Sequence, residues 1–254
     1  MYITVLGCNG SISGNLRTTC YQIGDNILID AGTGAGDLTL QQATAINTVF
    51  LTHSHLDHCA MLPMLADAAS NFRNTPLVVY ALPETIAALK EHMFNGRLWP
   101  DYTRLPAPGR PYILFKPITL GESVALQNCR ITALPAKHSI PAVAYQVNSG
   151  AASWVYSGDT TFCEDFWQAL DRIINMKYVL VENTCLNSNA VNAMRAGHMT
   201  AELLAQGLNL LSRPVELFIV HMDAGREDET LREVWQAAGK FNPQALQRGR
   251  EFKL

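Results

Sequence analysis

Short apolar runs alternate along the chain with glycine- or asparagine-bearing turns, and several longer stretches repeat their apolar residues at helical spacing. Ile3 to Leu6 predicts a strand, followed by a polar loop from Gly7 to Gly14. That loop reads either as a glycine turn or as the rim of a functional site, and it lacks both G-x-x-x-x-G-K-[ST] and G-x-G-x-x-G. Thr19 to Ile23 and Asn26 to Ile29 flank Gly24-Asp25 and predict a hairpin. Asn47 to Leu51 predicts a buried strand, and Cys59 to Ala69, rich in Ala, Leu and Met, predicts a helix. Pro76 to Tyr80 reads as a strand and Pro83 to Met93 as a helix, with Pro83 tolerated in its first turn and Glu84 favourable there. From Tyr112 to Val155 the chain reads as strands, including 130–134 and 143–147, and Ser153 to Tyr156 follows as another. A helical segment over Leu170 to Met176, a strand over Tyr178 to Val181, and a helix over Ala201 to Leu211 capped by Thr200 come next. Glu216 to Val220 predicts a strand and Arg226 to Ala238 a last helix. With no linker, charge block or fixed-period repeat, the expectation is one domain over residues 1–254.

The chemistry-bearing residues fall at the ends of these strands. His53, His55, Asp57 and His58 lie within six residues, in the pattern H-x-H-x-D-H, and include three of the seven histidines. Imidazoles and a carboxylate at this density suit zinc or a similar first-row divalent ion. Asp30, His138, Asp159, Glu182 and His221 each follow a predicted strand. Side chains at one end of successive strands converge, and these donors suffice for two ions if one carboxylate bridges. A histidine cannot bridge, so Asp159 is the expected bridge. His53, His55, His138 and Asp159 are assigned to one ion, and Asp57, His58, Asp159 and His221 to the other. Asp30 is expected to hold the tautomer of a ligating histidine from behind. Two ions ~3.5–4 Å apart hold a hydroxide and clamp an oxyanion, which favours phosphoester hydrolysis without a serine or cysteine nucleophile. The candidate catalytic residues are Asp57, His198, which would protonate the leaving group or bind phosphoryl oxygens, and Glu182, which would orient His198. Asn95, Trp99 and Thr200 are the candidate substrate-binding residues, the first two on an aromatic-rich loop from Phe94 to Thr103 on which a base could stack. That loop reads equally as a packing segment or as a subunit contact in a homodimer.

Composition narrows the partners. A net charge of −3 argues against a broad nucleic-acid-binding surface. Six scattered cysteines without a C-x-x-C pair read as reduced thiols and not as a disulfide framework. Met1 to Gly7 has no basic flank and reads as a strand instead of a signal peptide, and no apolar run approaches the ~20 residues of a membrane span. A cytoplasmic setting with no membrane partner is therefore expected.

The H-x-H-x-D-H stretch, the later His138, Asp159 within S-G-D-T and the final His221 together resemble the metallo-β-lactamase fold superfamily. That resemblance implies an α/β fold, a metallo-β-lactamase-like four-layer αββα sandwich with the ions at one edge of the paired sheets. Leu56 at the variable position, Ile29 to Gly34, Leu89 to Pro100 and Gly197-His198-Met199-Thr200 resemble the class II 3′,5′-cyclic-nucleotide phosphodiesterases. The resemblance implies hydrolysis of cAMP and often cGMP to the 5′-nucleotide. It also implies two divalent cofactor ions, Zn2+ first with Mn2+ or Fe2+ as alternatives, and a cyclic nucleotide as the small-molecule partner. The nearest enzymatic alternative is tRNase Z, which holds tRNA through a long inserted arm; here His138 and Asp159 are only 21 positions apart. An aspartate where β-lactamases carry cysteine, and His55 where flavodiiron proteins carry glutamate, disfavour those two groups. A non-catalytic nucleotide-binding module is the alternative from another class.

Overall fold

The computed structural model describes residues 1–70 and 72–254. Two seven-stranded mixed sheets carry the fold. Across the first sheet the order is Glu251–Lys253, Tyr2–Gly7, Cys20–Ile23, Ile27–Ile29, Thr48–Phe50, Leu77–Ala81 and Ile113–Pro117. Across the second it is Gln244–Ala245, Glu216–Val220, Met176–Glu182, Ser153–Tyr156, Val143–Asn148, Arg130–Pro135 and Ser123–Ala125. A two-residue pair, Pro106–Ala107 with Arg110–Pro111, forms a separate small hairpin.

Strand alternation sorts the apolar residues into layers. Val5, Tyr21, Ile29 and Phe50 from the first sheet meet Ile131, Tyr145, Trp154, Tyr156 and Leu180 from the second in one buried cluster. Aromatic pairs span this layer, Tyr21 with Trp154 at 5.2 Å and Phe50 with Tyr145 at 5.5 Å between ring centroids. The alternate residues point outward. Leu28, Val49 and Val79 pack beneath the helices Leu62–Ser70 and Pro83–His92. Val155, Val179, Val181 and Ile219 pack beneath Glu164–Asp171, Ala201–Leu208 and Glu227–Ala238. Both sheets are thus covered on both faces, giving the αββα order.

Each sheet has a parallel block. Ile27–Ile29, Thr48–Phe50 and Leu77–Ala81 run parallel in the first sheet, as do Ser153–Tyr156, Met176–Glu182 and Glu216–Val220 in the second. The C-terminal ends of these blocks therefore collect at sheet edges, and Asp30, His53, Ser157-Gly158-Asp159, Glu182 and His221 all sit there. No helix among the described residues is long and apolar enough to cross a membrane.

Three expectations change. The predicted helix over Cys59 to Ala69 is two helices, Leu56–Cys59 and Leu62–Ser70. Pro63 lacks an N–H and clashes with a preceding turn, so it begins a helix instead of continuing one. The helix placed over Leu170 to Met176 lies earlier, at Glu164–Asp171, where Phe166, Trp167 and Leu170 share the buried face. Ile174, within the segment read as helical, is an 88% exposed turn residue. The helix Leu40–Ala45 and the C-terminal strands Gln244–Ala245 and Glu251–Lys253 were not expected at all.

Candidate metal centre

Phe50 ends its strand inside the core, and the next residues turn across the sheet edge. His55 stands as the N-cap of the helix Leu56–Cys59, so Asp57 and His58 occupy its first turn. The local fold thereby directs four donors into one volume from only six residues. His138 enters from the loop between Arg130–Pro135 and Val143–Asn148, and Asp159 follows Ser153–Tyr156. His221 follows Glu216–Val220.

Two groups of donor atoms result, with Asp159 in both. Around Asp159 Oδ2 lie His53 Nε2 at 3.7 Å and His138 Nε2 at 3.9 Å, with His55 Nδ1 3.1 Å from His138 Nε2. Around Asp159 Oδ1 lie His58 Nε2 at 3.2 Å and His221 Nε2 at 3.3 Å, and Asp57 Oδ2 is 3.4 Å from His58 Nε2 and 3.0 Å from His221 Nε2. One carboxylate oxygen faces each group. The structure thus brings together all seven residues expected as ligands, in the two sets read from the sequence.

Hydrogen bonds behind the rings decide which nitrogen faces inward. His58 Nδ1 is 2.7 Å from Asp30 Oδ2, and a carboxylate only accepts, so Nδ1 carries a proton. His138 Nδ1 likewise donates to the Gly197 carbonyl at 3.0 Å. Thr52 Oγ1 lies 2.9 Å from Asp30 Oδ2 and 3.0 Å from His53 Nδ1; its one proton goes to the carboxylate, so it accepts from His53. His53 and His138 therefore aim an Nε2 lone pair into the site, and His58 does so once its second proton leaves. Among the described residues, His53 Nε2 is buried without a hydrogen-bond partner. Buried lone pairs converging on carboxylate oxygens repel one another unless a cation sits among them. This donor set therefore fits divalent ions bound by nitrogen and oxygen.

The charge states of the two groups differ. Burial, then the neighbouring His58, pushes the His53 imidazole well below its usual range; burial also lowers His55 and His138. In the second group burial also acts against the charged rings, but Asp159 and Asp30 outweigh it at His58 and raise that ring well above its usual range. Asp159, aided by Asp57, raises His221 as well. Burial alone would raise Asp159 and Asp57, yet the adjacent histidines hold both below the normal carboxylate range.

His198 stands outside both groups, its ring 4.9 Å from that of His138 and 5.7 Å from that of His221. Its Nδ1 is 2.9 Å from Glu182 Oε1. Burial lowers His198, but the Glu182 carboxylate more than offsets this and lifts it to about 9. Glu182, His198 and His221 also lie close enough to suggest a third ion. Glu182 argues otherwise, because its oxygens already accept from Thr160 N, Thr184 N, Thr184 Oγ1 and Met199 N. We read this trio as a hydrogen-bond network.

Several supports carry no signature in the sequence. Thr52 and Thr184 are hydroxyls whose partners appear only once the strands pair. Glycines allow the walls to close: a Cβ on Gly197, at φ +78°, would meet His138 Cα at 2.7 Å. A Cβ on Gly10 would meet His221 Nδ1 at 2.9 Å, so the Gly7-to-Gly14 loop packs directly on a ring of the site. Asp30 and His221 both adopt left-handed backbone, at φ +57° and +59°. Such conformations are costly for non-glycine residues and persist where surrounding bonds fix them.

The expected substrate wall is not brought to this edge. After the helix Pro83–His92 the loop is tied to the start of Leu77–Ala81 through Tyr112, whose N donates to Tyr102 O at 3.0 Å and whose O accepts from Leu77 N at 2.8 Å. Trp99 packs there against Tyr102, with centroids 6.4 Å apart. Asn95 spends its side chain on the local turn, accepting from Arg97 N and Leu98 N. Thr200 is buried at the N-cap of Ala201–Leu208 without the expected side-chain capping bond.

A family model described as a beta-lactamase superfamily domain matches residues 25–222. A probable 3′,5′-cyclic-nucleotide phosphodiesterase of Yersinia pestis is 26% identical over 184 residues, covering 66% of this chain and 52% of that protein. The chain thus spans about half the length of this relative. Ribonuclease Z of Azobacteroides pseudotrichonymphae is 23% identical over 272 aligned positions, covering 90% of each chain. Among solved structures, unliganded yeast PDE1 superposes with a TM-score of 0.81 at 19% identity, over 100% of this chain and 99% of that one. At that identity the superposition speaks for the fold.

Proposed function

The chain belongs to the beta-lactamase superfamily, and from that premise we propose that it is a binuclear metallo-phosphodiesterase that hydrolyses 3′,5′-cyclic nucleotides to nucleoside 5′-monophosphates. The observation that carries the reading is Asp159, whose Oδ2 faces His53 and His138 while its Oδ1 faces His58 and His221. His53, His55, His138 and Asp159 would hold one ion, and Asp57, His58, Asp159 and His221 the other. When bound, divalent ions at such a pair of sites supply a water activated at neutral pH and neutralise charge on the phosphoryl oxygens. We assign zinc first, since imidazoles dominate the donor set.

The chain's own residues then handle protons and position. Water adds to phosphorus, the bond to the 3′ oxygen breaks, and the departing oxygen needs a proton. His198 carries one at neutral pH, because Glu182 holds its Nδ1–H and raises its basicity. Asp57, 28% exposed on its side chain, lies on the solvent-facing side of the second group. The Yersinia relative that this chain resembles is named for activity on 3′,5′-cyclic nucleotides.

The second reading is ribonuclease Z-like cleavage, supported by the relative that matches 90% of both chains. Against it, the chain between His138 and Asp159 is taken up by Val143–Asn148, a tight turn and Ser153–Tyr156, leaving no arm there to grip tRNA. The test is chromatographic detection of 5′-AMP from cAMP, abolished by a chelator and restored by zinc, run beside pre-tRNA. Cleavage of pre-tRNA with cAMP left intact would replace the first reading by the second.

A further inference from the structure

Thr184, two residues past the end of the acidic strand terminus Glu182, sits at a junction of three groups. Its Oγ1 is 2.7 Å from Glu182 Oε2, 3.0 Å from the His221 carbonyl oxygen and 2.8 Å from His221 Nδ1. A threonine hydroxyl has one proton. The first two neighbours can only accept, and the shorter contact assigns that proton to Glu182 Oε2. The hydroxyl lone pair then faces His221 Nδ1, which must carry a hydrogen, and His221 Nε2 is left as the nitrogen aimed at Asp57, His58 and Asp159.

We infer that Thr184 is a positioning residue that fixes the tautomer and ring orientation of His221, and so sets the metal affinity of the second donor group while leaving the first alone. This rests on the two-ion reading of the site. Glu182 also joins two parts of the centre. The Glu182 carboxylate holds His198 through Oε1 and Thr184 through Oε2. One buried anion thereby orients the proton donor directly and the His221 ligand through a hydroxyl. The left-handed backbone of His221 adds to the need, because a ring on a strained residue keeps its direction only if something holds it.

Thr184→Val keeps the shape and removes the hydroxyl; Thr184→Ser restores it. Titrating the chelator-stripped proteins with Zn2+ against a chromophoric chelator reads both sites. The expected result is two tight ions in the parent, one tight ion and one weakened ~10–100-fold in Thr184→Val, and recovery in Thr184→Ser. Two ions of parental affinity in Thr184→Val, or a serine variant as weak as the valine one, would overturn the inference. Should the valine variant not fold, 15N-detected imidazole spectra of the zinc-loaded parent decide alone: a protonated Nδ1 on His221 supports the assignment and an unprotonated one removes it. A parent that binds fewer than two ions defeats both this inference and the reading beneath it. Metal behaviour as expected in a parent that leaves cAMP intact would defeat the substrate reading only.

Discussion

The two donor groups share Asp159 and little else. His53, His55 and His138 are three imidazoles whose burial keeps them uncharged, and they stand on ordinary backbone. Asp57, His58 and His221 crowd two histidines among three carboxylates, counting Asp30 behind His58, and these histidines hold protons strongly. Both left-handed non-glycine residues at the site, Asp30 and His221, serve this second group. At about 1–3 kcal/mol each, such conformations need the bonds from Thr52, His58 and Thr184 to persist. The first group is thus ready for an ion as folded. The second is held together by hydrogen bonds, and an ion entering it must displace protons.

Removing the shared member has the largest expected effect. Asp159→Ala deletes the oxygen facing each group and leaves His58 and His221 without their principal anionic neighbour. We expect activity to fall by more than the ~10²–10³-fold that loss of one transition-state donor costs, with metal content dropping below two per chain. Elemental analysis that still finds two ions would end the claim that one carboxylate joins the groups.

His198 belongs to neither group, which makes it the control for the comparison. His198→Ala is expected to keep both ions while kcat falls by about 10²–10⁴-fold, the usual share of a positioned proton donor. Unchanged kcat with intact metal content would remove it from the chemistry. Glu182→Gln should reproduce part of the loss, since the amide cannot hold the His198 proton as the carboxylate does.

Asp30→Asn separates the groups more finely. The amide can still occupy the space but no longer presents an anion to His58 Nδ1 and Thr52 Oγ1. Zinc affinity at the second group should fall by ~10–100-fold, with the first group nearly unchanged. Equal losses at both would show that Thr52, which touches His53 as well, transmits the change to the first group.

What was legible from the residues follows the same division. Donors adjacent in the chain, such as His53 to His58, and donors at strand ends, such as His138, Asp159 and His221, announce themselves by spacing. The hydroxyls that orient them do not. Thr52 and Thr184 look like any threonine until strand pairing brings Asp30 and His221 to them. Trp99 and Asn95 show the opposite failure: an aromatic-rich segment looks like a binding wall, yet sequence neighbourhood does not reveal to which sheet edge a helix returns the chain. The helix Leu40–Ala45 did carry a readable start in Thr39 and Gln42, which form a reciprocal capping box, but six residues are too few to display helical periodicity.

The smallest and most discriminating effect is the pH dependence of metal uptake. The second group's His58 and His221 have raised pKa values, so in the metal-free protein they hold their protons to higher pH than free imidazoles do. An ion must expel those protons, so its apparent affinity declines as pH falls throughout the range below the raised values, by about tenfold per unit for each proton expelled. The first group's histidines have lowered pKa values and are already unprotonated near neutrality, so its affinity stays flat until the solution becomes acidic enough to charge them. Chelator competition at successive pH values between 6 and 8 should give one steep and one shallow line, about one to two decades per unit against near zero. Calorimetry in two buffers of different ionisation enthalpy should show proton release on filling the steep site only. Two parallel lines would mean that the carboxylates around His58 and His221 do not hold protons there, and the contrast between the groups would reduce to geometry alone.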